Sequence, residues 1–338
     1  MPANPVLAEQ TRGNLVENRH RGAFVVVDAQ GRVIASAGDV SRPVFPRSAI
    51  KAMQALAMAT SGAIDRFALS DEELALACAS HHGEAVHVAA VGRFLQRVGL
   101  GPEALECGAH PPSNPAAREA LRQRGEEPTA LHNNCSGKHT GMLAVALALG
   151  APTSGYVNRD HPVQVEVRRA IEAVVGEPLS TDRCGTDGCS IPTWAAPLSA
   201  WARGFARMTT GEGLSGELAA ASKRVFDAAT SHPLLVAGSG HLDKVVMEAF
   251  GGQVMQKVGA EGVQCGAIRN RGWGYALKCD DGNMAASQAM VASLLLGLAE
   301  PDAAQREVLA RFATRPVKSV RGAVVGEMRT VSARFRLE

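Results

Sequence analysis

β-rich runs stand at both ends of this 338-residue chain, with a long helix-forming middle between them, and that order limits the folds it can take. Residues 22–36 place two such runs around Asp28-Ala29-Gln30-Gly31, with a glycine where a tight turn needs positive φ, which predicts a hairpin. Strand character returns at 253–257, 263–268 and 274–278, and again at 317–325 and 330–335. Helical composition covers 71–79, 84–98, 115–124, 140–149, 161–175, 192–209, 215–230, 242–250 and 284–298. An antiparallel sheet assembled from both termini and carrying an inserted helical unit follows, an α/β chain of α+β type. We expect one domain over 1–338, with a sheet subdomain near 1–47 and 250–338 and a mainly helical subdomain near 48–249.

Composition narrows the class. With 46% hydrophobic residues the chain can bury a sizeable core. A net charge of +2 and 4% aromatic residues provide no basic, aromatic-laced patch, so no nucleic-acid partner is expected. No apolar run is long and unbroken enough to span a bilayer, so no membrane partner is expected either. The N-terminal Met-Pro-Ala-Asn-Pro lacks the basic start and apolar stretch of a signal peptide, and a cytoplasmic location is the expectation. Seven scattered cysteines, at 78, 107, 135, 184, 189, 265 and 279, then read as free thiols or metal ligands rather than a disulfide frame.

Chemistry begins at Pro46-Arg47-Ser48-Ala49-Ile50-Lys51, which runs into Ala52-Met53-Gln54-Ala55-Leu56-Ala57-Met58-Ala59. Pro46 cannot continue a helix, but the Ala, Met, Leu and Lys after it form one readily, which predicts a helix with Ser48 in its first turn. Ser48 and Lys51 then stand at i and i+3 on one face and can touch. Apolar residues lie all round that helix, so it is buried, and desolvation lowers a lysine's pKa. A neutral amine can take a proton from a serine hydroxyl. This is S-x-x-K chemistry, the serine-nucleophile arrangement of β-lactamases and penicillin-binding proteins. The plain alternative is an N-cap serine and a lysine whose stem lies along apolar surface.

Three further polar clusters interrupt the apolar chain: Cys78-Ala-Ser80-His81-His82-Gly83-Glu84, His132-Asn-Asn-Cys135-Ser136-Gly137-Lys138-His139-Thr140-Gly141, and Asp182-Arg-Cys184-Gly-Thr-Asp187-Gly188-Cys189-Ser190. Gly137-Lys138-His139-Thr140 is not a phosphate loop, because the earlier glycine is absent and G-K-[ST] is not completed. Cys135 and Cys189 are soft metal donors that Lys138, His139, Asp187 or Cys184 could complete, set against buried, inert cysteines. A late strand carries Gln256-Lys257-Val258-Gly259-Ala260-Glu261-Gly262, where Lys-x-Gly matches the K-T-G that S-x-x-K enzymes place beside their serine. Lys278 competes for that role, and the plain alternative is a solvated strand lysine.

Taken together and in order, Arg47-Ser48-x-x-Lys51, Ser80-His-His-Gly-Glu, Asn-Asn-Cys135-Ser-Gly-Lys138-His139, Asp187-Gly-Cys189-x-x-Pro and Lys257-x-Gly-Ala-Glu-Gly resemble the rhizobial-type (class 3) L-asparaginases of the asparaginase II family. The resemblance covers nearly the whole chain. It implies a fold similar to serine β-lactamases and glutaminases, and two serine–lysine tandems, Ser48 with Lys51 and Ser80 with Lys257. It also implies one zinc ion per chain on Cys135, Lys138 and Cys189, near the substrate and not strictly required for hydrolysis, and a homodimer.

The mechanism so implied is hydrolysis of L-asparagine to L-aspartate and ammonia through a β-aspartyl ester. Ser48 attacks with neutral Lys51 as base, while Ser80 and Lys257 relay protons. Two lysines sharing one pocket disfavour double protonation, so one amine stays neutral near pH 7. Arg47, His139 and Asp187 are the expected polar contacts to substrate. The rivals are a glutaminase or penicillin-interactive serine hydrolase, a non-catalytic amino-acid binding protein on the same scaffold, and a thiol enzyme pairing Cys135 with His139.

Overall fold

In the computed structural model, which describes residues 3–331 and residue 335, eight strands form one antiparallel sheet drawn from both ends of the chain. Along it lie Thr314–Lys318, Val324–Thr330, Val6–Arg12, Leu15–Val27, Trp273–Cys279, Val263–Ile268 and Val254–Val258. Leu15–Val27 is long enough to serve two neighbours on one side: Val6–Arg12 pairs with its first half, and Val33–Ala37 closes the expected hairpin on its second. The hairpin turn is held by Asp28, whose Oδ1 accepts from the amides of Gln30 and Arg32 at 3.0 and 2.9 Å.

Alternation along Leu15–Val27 sorts the core. Val25 and Val27 face the larger cluster with Trp201 and Phe205, whereas Phe24 and Val26 face a second cluster with Leu294 and Leu295. The Leu198–Thr210 helix therefore covers one face of the sheet and Met284–Leu298 the other. Contact on the first face is very close: a Cβ on Gly274 would stand 1.9 Å from the Ala202 carbonyl oxygen, so no larger residue fits there. Most of the remaining helices join the Leu198–Thr210 helix in the larger cluster, whereas Leu242–Ala249 and Ala303–Ala313 send Leu242, Val246, Leu309 and Ala313 into the second. Among the described residues no helix is long and apolar enough to cross a membrane.

Several boundaries differ from the sequence expectation. The strand Val6–Arg12 and the helix Ala303–Ala313 had no periodic signal strong enough to predict them. The closing strands are Thr314–Lys318 and Val324–Thr330, with a turn at 319–323, instead of 317–325 and 330–335; of the latter span, 332–334 lie outside the described residues. The helix expected from 192 starts only at Leu198, because Pro192–Trp194 pairs with Cys184–Thr186 and Ala196–Pro197 with Pro43–Val44. The helix placed at 140–149 begins earlier, at Ser136, so Lys138 and His139 belong to its first turn.

Candidate active site

Ser48 does not sit in an α-helix. Arg47–Ile50 is a 3-10 turn, and the α-helix starts at Lys51 and runs only to Ala55. Arg47 opens that turn with φ +52°, a left-handed conformation costly for a side chain with a Cβ and of the kind found at functional turns. Its guanidinium lies 2.6 Å from the Asp187 carboxylate, which holds the strained turn in place. Burial pushes the Asp187 carboxyl up, but the Lys138 and Arg47 cations outweigh it and bring it below the usual range. A cavity of about 380 Å³, bordered by Phe45, Arg47, Glu261 and Lys278, opens beside this pair.

The expected hydrogen bond between Ser48 and Lys51 is not formed. Lys51 is fully buried, and its Nζ donates to the Ala79 carbonyl oxygen, to Ser80 Oγ at 3.0 Å and to Cys135 Sγ at 3.1 Å, with the Asn134 carbonyl oxygen at 3.5 Å. The correction has a simple cause. Spacing of i and i+3 aligns two Cα atoms, but a four-carbon stem carries the amine to wherever its three donors can be satisfied in the interior. The Ser48 hydroxyl is half-buried and makes no hydrogen bond among the described residues.

Ser80 is where the lysines meet. Lys257 Nζ donates to Ser80 Oγ at 3.0 Å, the same distance as Lys51, and to the Val258 carbonyl oxygen at 3.0 Å. The two nitrogens are thus at most about 6 Å apart, where two unit charges at an effective dielectric near 20 repel by roughly 3 kcal/mol. That is about two pKa units, enough to keep one amine neutral close to neutral pH. Burial, reinforced by Lys51, brings Lys257 down to about 8, against the upward pull of Asp243 and Cys135. Lys278, the competitor, is half-buried and spends its amine on the carbonyl oxygens of Glu261 and Cys279, both at 2.5 Å.

Gly259 explains the Lys-x-Gly pattern physically. A Cβ there would lie 2.5 Å from the Pro46 carbonyl oxygen and 3.1 Å from Ala49 Cβ, so only glycine lets the strand end close on the Ser48 turn. The Ser80 segment is fastened from both sides. Ser80 N donates to the Val236 carbonyl oxygen at 2.8 Å, and His81, fully buried, lies 2.8 Å from Ser136 Oγ through Nε2. Burial pushes the His81 imidazole far below its ordinary value, so it is a neutral strut between the Ser80 loop and the Ser136–Ala148 helix.

Cys135, Lys138 and Cys189 come together as the motifs suggested. Lys138 Nζ donates to Cys189 Sγ at 2.9 Å, and the two thiols hydrogen-bond to each other. The Cys189 hydrogen bond, with help from Lys138 and Lys51, draws the Cys135 thiol well below its usual value, while Cys189 moves up and keeps the proton. Two soft sulfurs and an amine in a buried pocket, one sulfur already inclined to be a thiolate, suit a zinc-type cation once Lys138 gives up its proton.

His139 differs from expectation. It is fully buried with Nδ1 2.6 Å from the Tyr156 hydroxyl, and its Nε2 has no partner among the described residues, so it packs behind Lys138 instead of standing at the mouth. No hydrogen bond joins it to Cys135 among the described residues, so the Cys135–His139 pair of the thiol-enzyme reading is not formed. Sequence reasoning missed Asp243, Tyr156 and the Ala79 carbonyl, none of which stands in a recognisable spacing.

No curated protein matches the chain. Among solved structures it is similar to a β-lactamase of Mycobacterium bovis at 15% identity, covering 81% of this chain and 94% of that one with a TM-score of 0.37. It is also similar to a putative β-lactamase of Bacteroides dorei at 13% identity, with 80% and 92% covered and a TM-score of 0.42. Another match is a mutant simvastatin synthase of Aspergillus terreus at 13% identity, with 86% and 91% covered and a TM-score of 0.36. The L-asparaginase II family matches residues 8–330, a span that holds every site residue described above, and the chain belongs to this family of asparaginase-type hydrolases.

Proposed function

We propose that the protein is an L-asparagine amidohydrolase, and the observation that carries this reading is a half-buried serine, Ser80, held between the fully buried amines of Lys51 and Lys257 at 3.0 Å each. Ser48 Oγ attacks the side-chain amide carbon as its proton passes to Lys51, whose stem swings the amine one 3-10 turn back. The C–N bond breaks, and the departing ammonia takes a proton through Ser80 from the lysine pair. Water, deprotonated by the same relay, then cleaves the aspartyl ester and returns the hydroxyl. Arg47 and Asp187 border the mouth and receive the substrate's α-carboxylate and α-amino groups.

Cys135, Lys138 and Cys189 would hold one zinc ion, which when bound supplies a fixed positive centre beside the substrate. No step of the hydrolysis passes through it. Cys189→Ala is the cleaner test of that site, because Cys135 also touches Lys51. The variant is expected to lose bound zinc by elemental analysis and to raise KM about tenfold or more with kcat less affected. Unchanged zinc content would remove the assignment.

The pair's protonation predicts a pH profile. Its first proton leaves near Lys257, at about 8, and the active pair carries one proton in place of two. kcat/KM should therefore climb as pH rises through about 8.

A second reading has one specific observation behind it: Ser80, not Ser48, has both amines within hydrogen-bond reach. The experiment that tests the function also decides this. Ammonia release from asparagine and glutamine is measured with and without chelator, and acid-quenched enzyme is digested for mass spectrometry. An aspartyl adduct on the Ser48 peptide supports the main mechanism and one on the Ser80 peptide exchanges the serines' roles. Release from neither amide overturns the proposal.

A further inference from the structure

The amine of Lys257 has a buried neighbour that the motifs do not contain. Asp243, in the first turn of the Leu242–Ala249 helix, is 0% exposed, and its Oδ2 stands 3.6 Å from Lys257 Nζ. The same oxygen accepts from the Val258 amide at 2.9 Å, directly after the lysine. Its Oδ1 accepts from Gln256 Nε2 at 3.3 Å.

Gln256 is itself fixed. Its Nε2 donates to Gln264 Oε1 at 2.7 Å, its Oε1 accepts from the Tyr275 hydroxyl at 2.7 Å, and Gln264 Nε2 donates to Ser287 Oγ at 3.0 Å. Every member of this thread is fully buried. It runs from the helix on the far face, through the sheet, to the lysine at Ser80. An ionised Asp243 carboxylate can only accept, so the NH₂ end of Gln256 must face it, while the Tyr275 hydroxyl reaches both Gln256 Oε1 and the Met255 carbonyl oxygen, the latter at 3.1 Å. A buried carboxylate is costly unless it is paired and fully hydrogen-bonded, and a core of this size has no need of one for stability.

We infer that Asp243 is a positioning residue, whose carboxylate holds the Lys257 amine on Ser80 and biases that amine toward its protonated form. The inference rests on the reading of Lys257 as part of the proton relay. Other ionisable groups also face Lys257. Lys51 lies across Ser80, Cys135 stands beyond Lys51, Cys78 ends the Asp71–Ala77 helix, Cys265 pairs opposite on the neighbouring strand, and His241 caps the Asp243 helix. None of these is a carboxylate; Asp243 is the one in direct reach, and Lys51 opposes it.

Two variants separate this from a structural role, because they push in opposite directions. Asp243→Asn keeps an acceptor for the Val258 amide but removes the charge, so Lys257 should lose its proton about one pH unit or more lower. Gln256→Met removes a donor from the carboxylate and should move the same proton loss to higher pH by a few tenths of a unit. Lys257 is followed directly by NMR of protein carrying ¹³C-labelled lysine, with the Lys257→Met variant identifying its signal, and the acidic limb of kcat/KM is recorded beside it. The NMR titration needs no substrate, so absent asparagine hydrolysis would strike the function reading while this test still stands. If Asp243→Asn does not fold, Gln256→Met alone carries the test through its upward shift. A Lys257 titration unmoved in Asp243→Asn, or displaced downward in Gln256→Met, overturns the inference.

Discussion

Replacing Ser48 by alanine is expected to lower ammonia release from asparagine by about 10⁴-fold or more, the scale seen when a catalytic serine is removed from a hydrolase. The fold should survive. The hydroxyl makes no hydrogen bond among the described residues, and the neighbouring Ala49 and Ile50, both buried, hold the turn against the core. Ser80→Ala is the necessary companion. It deletes the group on which both amines converge, and a loss on the order of 10²–10⁴-fold is expected from removal of a proton relay. Assays of both variants against wild type, with thermal unfolding as the control, read the two roles separately. If Ser48→Ala keeps full turnover, the nucleophile is not Ser48; a much larger loss in Ser80→Ala would point to the alternative hydroxyl.

The kind of constraint a residue obeys decides whether its place can be read from the sequence. Lys51, Ser80 and Lys257 were legible because short spacings and a Lys-x-Gly strand end reflect local geometry, and Gly259 shows why that pattern is needed. Where the Lys51 amine goes was not legible. Its destination is set by Ala79, Ser80 and Cys135, which arrive from distant parts of the chain, and i, i+3 reasoning sees only the near serine. The same holds for Asp243. Its partner is one strand away, and nothing in His241-Leu-Asp243-Lys244 distinguishes it from an ordinary first-turn acid. His139, expected as a polar contact to substrate, shows another limit: the helix begins at Ser136 and turns its ring inward, an orientation that the motif alone does not reveal. The sheet from both termini was legible from alternation. The weakly patterned strand Val6–Arg12 was not, because its pairing with Val324–Thr330 depends on chain ends more than 300 residues apart.

Lys51→Met is the second large effect. The amine touches Ser80 and Cys135 at once, so it joins the proton relay to the thiol cluster. Removing it deletes the base nearest Ser48, and activity should fall by about 10²–10⁴-fold. Thermal unfolding serves as the control for folding, because the variant leaves the buried Ala79 carbonyl oxygen and Cys135 thiol without the amine they share. Two further readouts follow from the geometry. Bound zinc should be retained, because Cys135, Lys138 and Cys189 remain; its loss would place Lys51 in the metal site. Residual turnover should also shift. Lys51 helps to hold the Lys257 amine down, so without that repulsion Lys257 keeps its proton to higher pH, and the acidic limb should lie at higher pH than in wild type. An acidic limb that stays put in Lys51→Met would mean that the two lysines do not share their protons through Ser80, and the relay on which the amidohydrolase mechanism depends would have to be abandoned.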